Sequence, residues 1–225
     1  MPREHKGITR PNQPKNFKRC FIIASEGADT ERLYFEGLAA LVVEKRLDKF
    51  VKIEFIKREK EEERTKSSHK EVMKQLDAFK KKFRLDKRDE LWLVIDRDKQ
   101  NNPLKNLAEI SQKCSQKNYF LALSNPNFEL WLLLHLKDLQ EYSEQELEAF
   151  FQNKNFNSSK KMLDKELSQL LEGYDKSKYD FKRFEPSIPK AIERAKNLDT
   201  VPNERWIEEN LGTRVYILVE KILCP

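Results

Sequence analysis

Apolar residues along the chain keep two rhythms. Phe21-Ile-Ile-Ala-Ser25, Leu91 to Ile95 and Tyr119-Phe-Leu-Ala-Leu-Ser124 are short continuous apolar runs, the pattern of buried strands. Val51-Lys-Ile-Glu-Phe-Ile56 alternates instead and predicts a strand near a sheet edge. Between the strands the spacing becomes helical. Leu33, Tyr34, Leu38, Leu41 and Val42 share one face of a helix capped by Asp29 and running to about Arg46. Val72, Met73, Leu76, Phe79 and Phe83 do the same over His69 to Phe83, and a further helix is expected near Leu104 to Cys114. After the fourth strand, Asn125-Pro126 predicts a helix start, with Asn as cap and Pro at the first helical position. The order βαβαβαβα predicts an α/β fold: a parallel sheet of about four strands with helices on both faces.

The pattern changes after about residue 141. Ser143 and Glu146 have capping-box spacing, and the signals from there onward are mostly helical, with loops around Tyr174–Pro189 and Thr200–Asn203. Val215, Ile217, Leu218 and Ile222 would pack the last helix. The expected organisation is a basic, flexible arm over residues 1–19, a core over 20–141, and a mostly helical extension over 142–225 packed on that core. In the arm, six basic residues face Glu4 alone, a net of +5 with His5 neutral, so most of the chain's net charge of +6 sits there. Such an arm often contacts phosphates; a solvated tail without a partner is the plainer reading.

Composition narrows the setting. Of 225 residues, 38% are hydrophobic and 36% charged, enough to bury a core beneath a highly charged surface. No apolar run approaches the roughly 18 residues of a membrane span. The N-terminus lacks the apolar stretch of a signal peptide, and the three scattered cysteines make no disulfide or metal pattern, so a cytoplasmic protein with no membrane partner is expected. Lys57 to Lys66 mixes both charge signs and reads as a solvated segment. Five glycines form no phosphate-binding loop, which argues against nucleotide hydrolysis by this chain alone.

The chemistry concentrates at strand ends. Leu91-Trp-Leu-Val-Ile-Asp-Arg-Asp98 runs from a buried strand into two carboxylates one residue apart. On an extended backbone both project to one side, where like charges repel unless a cation lies between them. Glu26 ends the first strand, and in a parallel sheet ligands bind beyond the C-terminal strand ends. If those strands are neighbours, Glu26, Asp96 and Asp98 converge on one crevice. An oxygen-only set suits Mg²⁺ or Mn²⁺, which can activate water and stabilise charge on a phosphodiester. Taken singly, Glu26 reads more readily as a cap or turn residue, and the Asp-x-Asp pair reads equally well as a turn.

Three segments then carry a family resemblance: Ser25-Glu-Gly-Ala-Asp-Thr-Glu31 with Tyr34-Phe35; Val94-Ile-Asp-Arg-Asp98; and Ser124-Asn-Pro-Asn-Phe-Glu-Leu-Trp-Leu-Leu-Leu-His135. A weaker fourth is Asn210-Leu-Gly-Thr-Arg-Val-Tyr216. The acid motifs resemble the Toprim fold of topoisomerases, primases and overcoming-lysogenization-defect nucleases, and the whole set resembles the RloB-like family. The resemblance implies a Toprim core in which Glu26 serves as acid/base or metal ligand and Asp96 and Asp98 bind Mg²⁺. It also implies association with antiphage loci, often beside an RloA-like ATPase partner, and nuclease activity against RNA such as tRNA, or against DNA. Glu31 is the candidate for a second acid of the first motif, five residues after Glu26 where that nuclease group has four. A first-turn acid favoured by the helix dipole is the alternative.

Glu129 stands alone in a segment that is apolar almost all round, a costly position unless the carboxylate is bound or paired with a cation such as Arg97 or His135. His135 reads chiefly as a satisfied core residue, and as a general acid/base only if the helix end bends toward the crevice. Arg97 points away from the aspartates if its strand continues and toward phosphate if a turn begins there. Trp92 and Trp131 read as core. Tyr174, Tyr179, Phe181 and Phe184 interleave with Lys176, Lys178, Lys182 and Arg183, a mixture that can stack bases and track a backbone, or simply pin a loop by its aromatics. The leading expectation is a Mg²⁺-dependent (or Mn²⁺-dependent) nuclease acting in phage defence, with Glu26, Asp96, Asp98 and Glu129 catalytic. The alternative is a non-catalytic metal- and nucleic-acid-binding module working through the ATPase. Homo-oligomerisation stays open in both.

Overall fold

The computed structural model describes residues 18–27, 29–57, 69–97, 104–153, 155–156, 160–202, 204 and 209–225. Most of the basic arm, most of the charge-dense stretch after Lys57, and Asp98 lie outside the described residues. The elements follow the order β1 (Arg19–Ser25), α1 (Thr30–Glu44), β2 (Val51–Phe55), α2 (His69–Lys82), β3 (Glu90–Asp96), α3 (Leu104–Lys117), β4 (Phe120–Asn125), α4 (Phe128–Leu136), α5 (Glu144–Phe151), α6 (Met162–Leu170), α7 (Ile188–Leu198), β5 (Gly212–Thr213) and α8 (Val215–Leu223).

The five strands lie in the order β2-β1-β3-β4-β5. β1 pairs in parallel with β2 and β3, and β3 pairs in parallel with β4. The alternating strand, β2, is indeed at an edge. The expected neighbours β1 and β3 are in register from Phe21 opposite Glu90 to Ser25 opposite Val94, which brings their C-terminal ends level. β5 is an addition to the expected four strands. It pairs antiparallel with the end of β4, Ser124 opposite Thr213, and the two side-chain oxygens of that pair lie 2.7 Å apart.

Side-chain alternation splits the sheet into two faces. Phe21, Ile23, Trp92 and Val94 point into one apolar layer with α1, α4, α7 and α8. Ile22, Ala24, Leu91, Leu93 and Ile95 point into the other, with Val72, Met73 and Leu76 of α2 and Leu107, Ile110 and Cys114 of α3. The helices after residue 141 enter the first layer through Leu163, Leu167, Ile188, Ala195, Leu218 and Ile222. The Ser143–Glu146 capping box forms at the start of α5. Among the described residues no helix is long and apolar enough to cross a membrane.

The start of α4 corrects one expectation. The cap is Asn127, not Asn125, and the helix begins at Phe128, so Pro126 precedes it. Asn125 is committed to the sheet: it pairs with Gly212, and its side-chain amide donates to Asn210 O at 2.9 Å. A residue held extended in a ladder cannot also open a helix.

Candidate functional site

The level C-terminal ends of β1 and β3 set the first two acids side by side. Beyond Ser25 the chain of β1 stays tied to β3, with Glu26 N donating to Val94 O at 3.0 Å. The Glu26 carboxylate returns to Asp96, accepting from its backbone N–H at 3.4 Å. Two helices aim their first turns at the same place. Glu31 lies in the first turn of α1 and Glu129 in the first turn of α4, both nearly fully buried. The Glu31 carboxylate accepts from Gly27 N at 2.9 Å, and a Cβ on Gly27 would collide with that carboxylate. Glycine here is what lets the acid fold back over the turn.

The pocket is electrostatically unbalanced. Burial pushes the Glu31 carboxyl up to about 7, and the charges of Glu129 and Glu26 push the same way. Burial also holds Asp96 well above the carboxylate range, reinforced by Glu31, Glu129 and Glu26 in that order. A group surrounded by like charge in a dry site keeps its proton until a cation arrives. Tyr179 and Tyr174 line this region as neutral phenols, raised by burial first and by the neighbouring acids second. Tyr179 donates to Thr30 O at 2.5 Å, fixing its loop to the first turn of α1.

Two basic side chains belong to this site, and neither role was legible in the sequence. His69, the first residue of α2, is buried with Nε2 at 3.0 Å from Glu26 Oε2 and 3.2 Å from Asp96 O. Because a carbonyl oxygen only accepts, the network assigns a proton to Nε2. Lys176 provides the partner of Glu129, in place of Arg97 or His135. Its Nζ lies 2.8 Å from Glu129 Oε1 and 2.9 Å from Asp164 Oδ1. Asp164, in the first turn of α6, is also buried and escaped notice because nothing in its local pattern marks it. His69 stands at the border of a charge-dense stretch, and that position is its one sequence signal.

The remaining candidates are placed elsewhere. His135 is a core residue, hydrogen-bonded through Nε2 to Tyr34 Oη at 3.1 Å and through Nδ1 to Trp131 O at 2.8 Å. Burial depresses its pKa to about 3, so it is neutral at physiological pH. Arg97 is buried, with its backbone N–H donating to Ser124 O at 2.8 Å. Trp92 and Trp131 are fully buried. Of the basic and aromatic mixture, Tyr174, Phe181 and Phe184 are buried in the first apolar layer, which is the loop-pinning arrangement. Lys178 and Lys182 are exposed and paired with Asp175 and with Glu44 and Glu185, while Arg183 donates to Leu171 O at 2.5 Å.

The donor chemistry fits a hard divalent cation: Glu26, Glu31, Asp96 and Glu129 offer carboxylate oxygens only. Among the described residues no three Asp, Glu, His or Cys side chains form a metal-holding cluster, so these carboxylates do not by themselves close a coordination shell. The family model described as RloB-like protein matches residues 21–222. No curated protein and no solved structure matches the chain.

Proposed function

The chain belongs to the RloB-like family, and on that premise we propose that it is a Toprim-type nuclease that hydrolyses phosphodiesters with Mg²⁺ or Mn²⁺ and acts as an effector in phage defence. The observation that carries this reading is the placement of Glu26 and Asp96 on adjacent parallel strands with Glu31 and Glu129 on two helix starts, where burial first and the neighbouring acids second raise the Glu31 and Asp96 carboxyls. Buried acids with raised pKa values, grouped at strand and helix ends, are the arrangement that functional sites use. Asp98 follows Asp96 at the spacing that would add a further oxygen donor.

Glu26, Asp96 and Asp98 would hold the metal, with Glu31 as a further ligand. The ion, when bound, supplies Lewis-acid activation of a phosphoryl oxygen and a more acidic water. The protein's own residues do the rest. His69 Nε2 donates to Glu26 and so fixes which way that carboxylate faces. Gly27 holds Glu31 against the turn, ready to give up its proton as a cation enters. The neutral Tyr174 and Tyr179 are buried beside the acids and add no charge of their own, and the low dielectric of that burial strengthens the charge interactions around them. The 18% exposure of the Glu26 side chain leaves the strand-end side open for a phosphate to approach.

The test uses purified protein with labelled tRNA, single-stranded RNA and DNA, in Mn²⁺ and in EDTA. Cleavage that requires the metal and vanishes in the Asp96→Asn/Asp98→Asn double variant supports the reading; cleavage retained by that variant overturns it. Tight binding with no cleavage by the wild type favours the non-catalytic module acting through an ATPase. In cells, the same double variant is expected to remove toxicity during phage challenge.

A further inference from the structure

The environment of Lys176 goes beyond the metal reading and rests on it. The side chain enters from the loop between α6 and α7, and two tyrosines, Tyr174 buried and Tyr179 bonded to Thr30 O, hold that loop against the start of α1. Between them, the ammonium of Lys176 bridges Glu129 at 2.8 Å and Asp164 at 2.9 Å, two carboxylates whose side chains are only 5% and 6% exposed. Burial opposes the charge of Lys176, and Glu129 and Asp164 outweigh that burial, so its pKa stands above the ordinary lysine range. Its field also reaches Asp96, where it acts against the three neighbouring acids. A compact, permanently charged ammonium therefore already sits between two oxygen donors, beside the carboxylates assigned to a divalent ion.

Phosphoryl-transfer sites with two metals use a pair of cations about 3.5–4 Å apart, bridged and flanked by carboxylates. Here one flank is filled by a side chain. We propose that Lys176 is a resident cation occupying the second cation position, so that the pocket takes one divalent ion rather than two, with Glu129 and Asp164 serving the lysine and Glu26 and Asp96 serving the metal. Two divalent ions beside the ammonium would crowd five positive charges against these acids; one ion and the lysine bring three. The Lys176 side chain is 45% exposed, so removing it opens a position that solvent ions can reach.

Counting bound Mn²⁺ per chain by electron paramagnetic resonance tests this without reference to activity. The wild type is expected to bind one ion, Lys176→Arg one, and Lys176→Met two. Two ions in the wild type, or a single ion in Lys176→Met, overturns the proposal. Should Lys176→Met fail to fold, Asp164→Asn decides in its place. Asp164 touches the lysine and is not among the acids that raise Asp96, so Asp164→Asn is expected to leave the affinity for the first Mn²⁺ nearly unchanged, while Asp96→Asn lowers it about tenfold or more. An equal loss in Asp164→Asn counts against the resident-cation role. A wild type that binds no Mn²⁺ removes the metal reading and this one together, whereas two bound ions remove this one alone.

Discussion

At the residue scale, burial and like charge together raise the acids, and the sign of that shift can be read in stability. The Glu31 carboxyl, near 4.5 in an unfolded chain, sits at about 7 when folded. Between those values the folded state binds more protons than the unfolded one, so the contribution of Glu31 is present at low pH and is lost as pH rises toward and past 7. His135 works the other way: its pKa of about 3 makes the folded chain lose stability as pH falls below about 6.5. The two trends overlap, so the clean readout is a difference. Urea unfolding in EDTA should show Glu31→Gln gaining on the wild type as pH rises from 5 to 8, by at most about 3 kcal/mol, because His135 cancels and the amide oxygen can still accept from Gly27. No pH dependence in that difference would contradict the burial argument. Mn²⁺ affinity of the wild type should fall as pH drops below 7, since Glu31 and Asp96 must first release protons; titration calorimetry in buffers of different ionisation heat would show proton release on binding. Gly27→Ala probes the same acid sterically. Its new methyl meets the flexible end of Glu31, so the fold should hold within about 1 kcal/mol while Mn²⁺ binding weakens.

At the element scale the short strand β5 depends on one buried ion pair. Arg214 donates to Asp199 at 3.0 and 3.2 Å and to the carbonyls of Val201 and Glu204, and Tyr216 Oη donates to Asp199 at 3.1 Å. Both charged partners are buried, so Arg214→Met should cost about 3–5 kcal/mol in urea unfolding by leaving Asp199 unpaired. Asp199→Asn in the same background should recover part of the loss. This network explains why Asn210-Leu-Gly-Thr-Arg-Val-Tyr216 stands out as a motif: it latches the last segment onto β4. The strands β1, β3 and β4 were legible because a buried strand needs a continuous apolar run, and Glu26 and Asp96 were legible because such runs end in acids. β5 was not, because two residues carry no periodicity. The pairing of Lys176 with Glu129 spans 47 positions and joins a loop to a helix, and no local spacing encodes a contact of that kind. The start of α4 was misplaced because Asn-Pro is an equally good helix opening when the demand of Gly212 for a partner is out of view.

At the scale of the whole molecule, the helices after residue 141 complete the apolar layer that covers one face of the sheet. Leu163, Leu167, Ile188, Leu218 and Ile222 are at most 2% exposed, and β5 joins the sheet from the same C-terminal portion. Residues 20–141 expressed alone should therefore lack cooperative unfolding and bind hydrophobic dye, while the full chain should melt in one transition with coincident far- and near-ultraviolet signals. Two separate transitions would show the C-terminal portion to be an independent unit. The ring of acids has a further consequence for how such a chain drifts over generations. Amide substitutions at Asp96 or Glu31 relieve repulsion, so folding alone tolerates or favours them. Copies released from use would shed these carboxylates early while their continuous apolar strands persisted. Among related sequences, an intact ring would then mark the lineages in which the pocket still works, and a well-formed sheet ending in amides would mark those in which it has fallen silent.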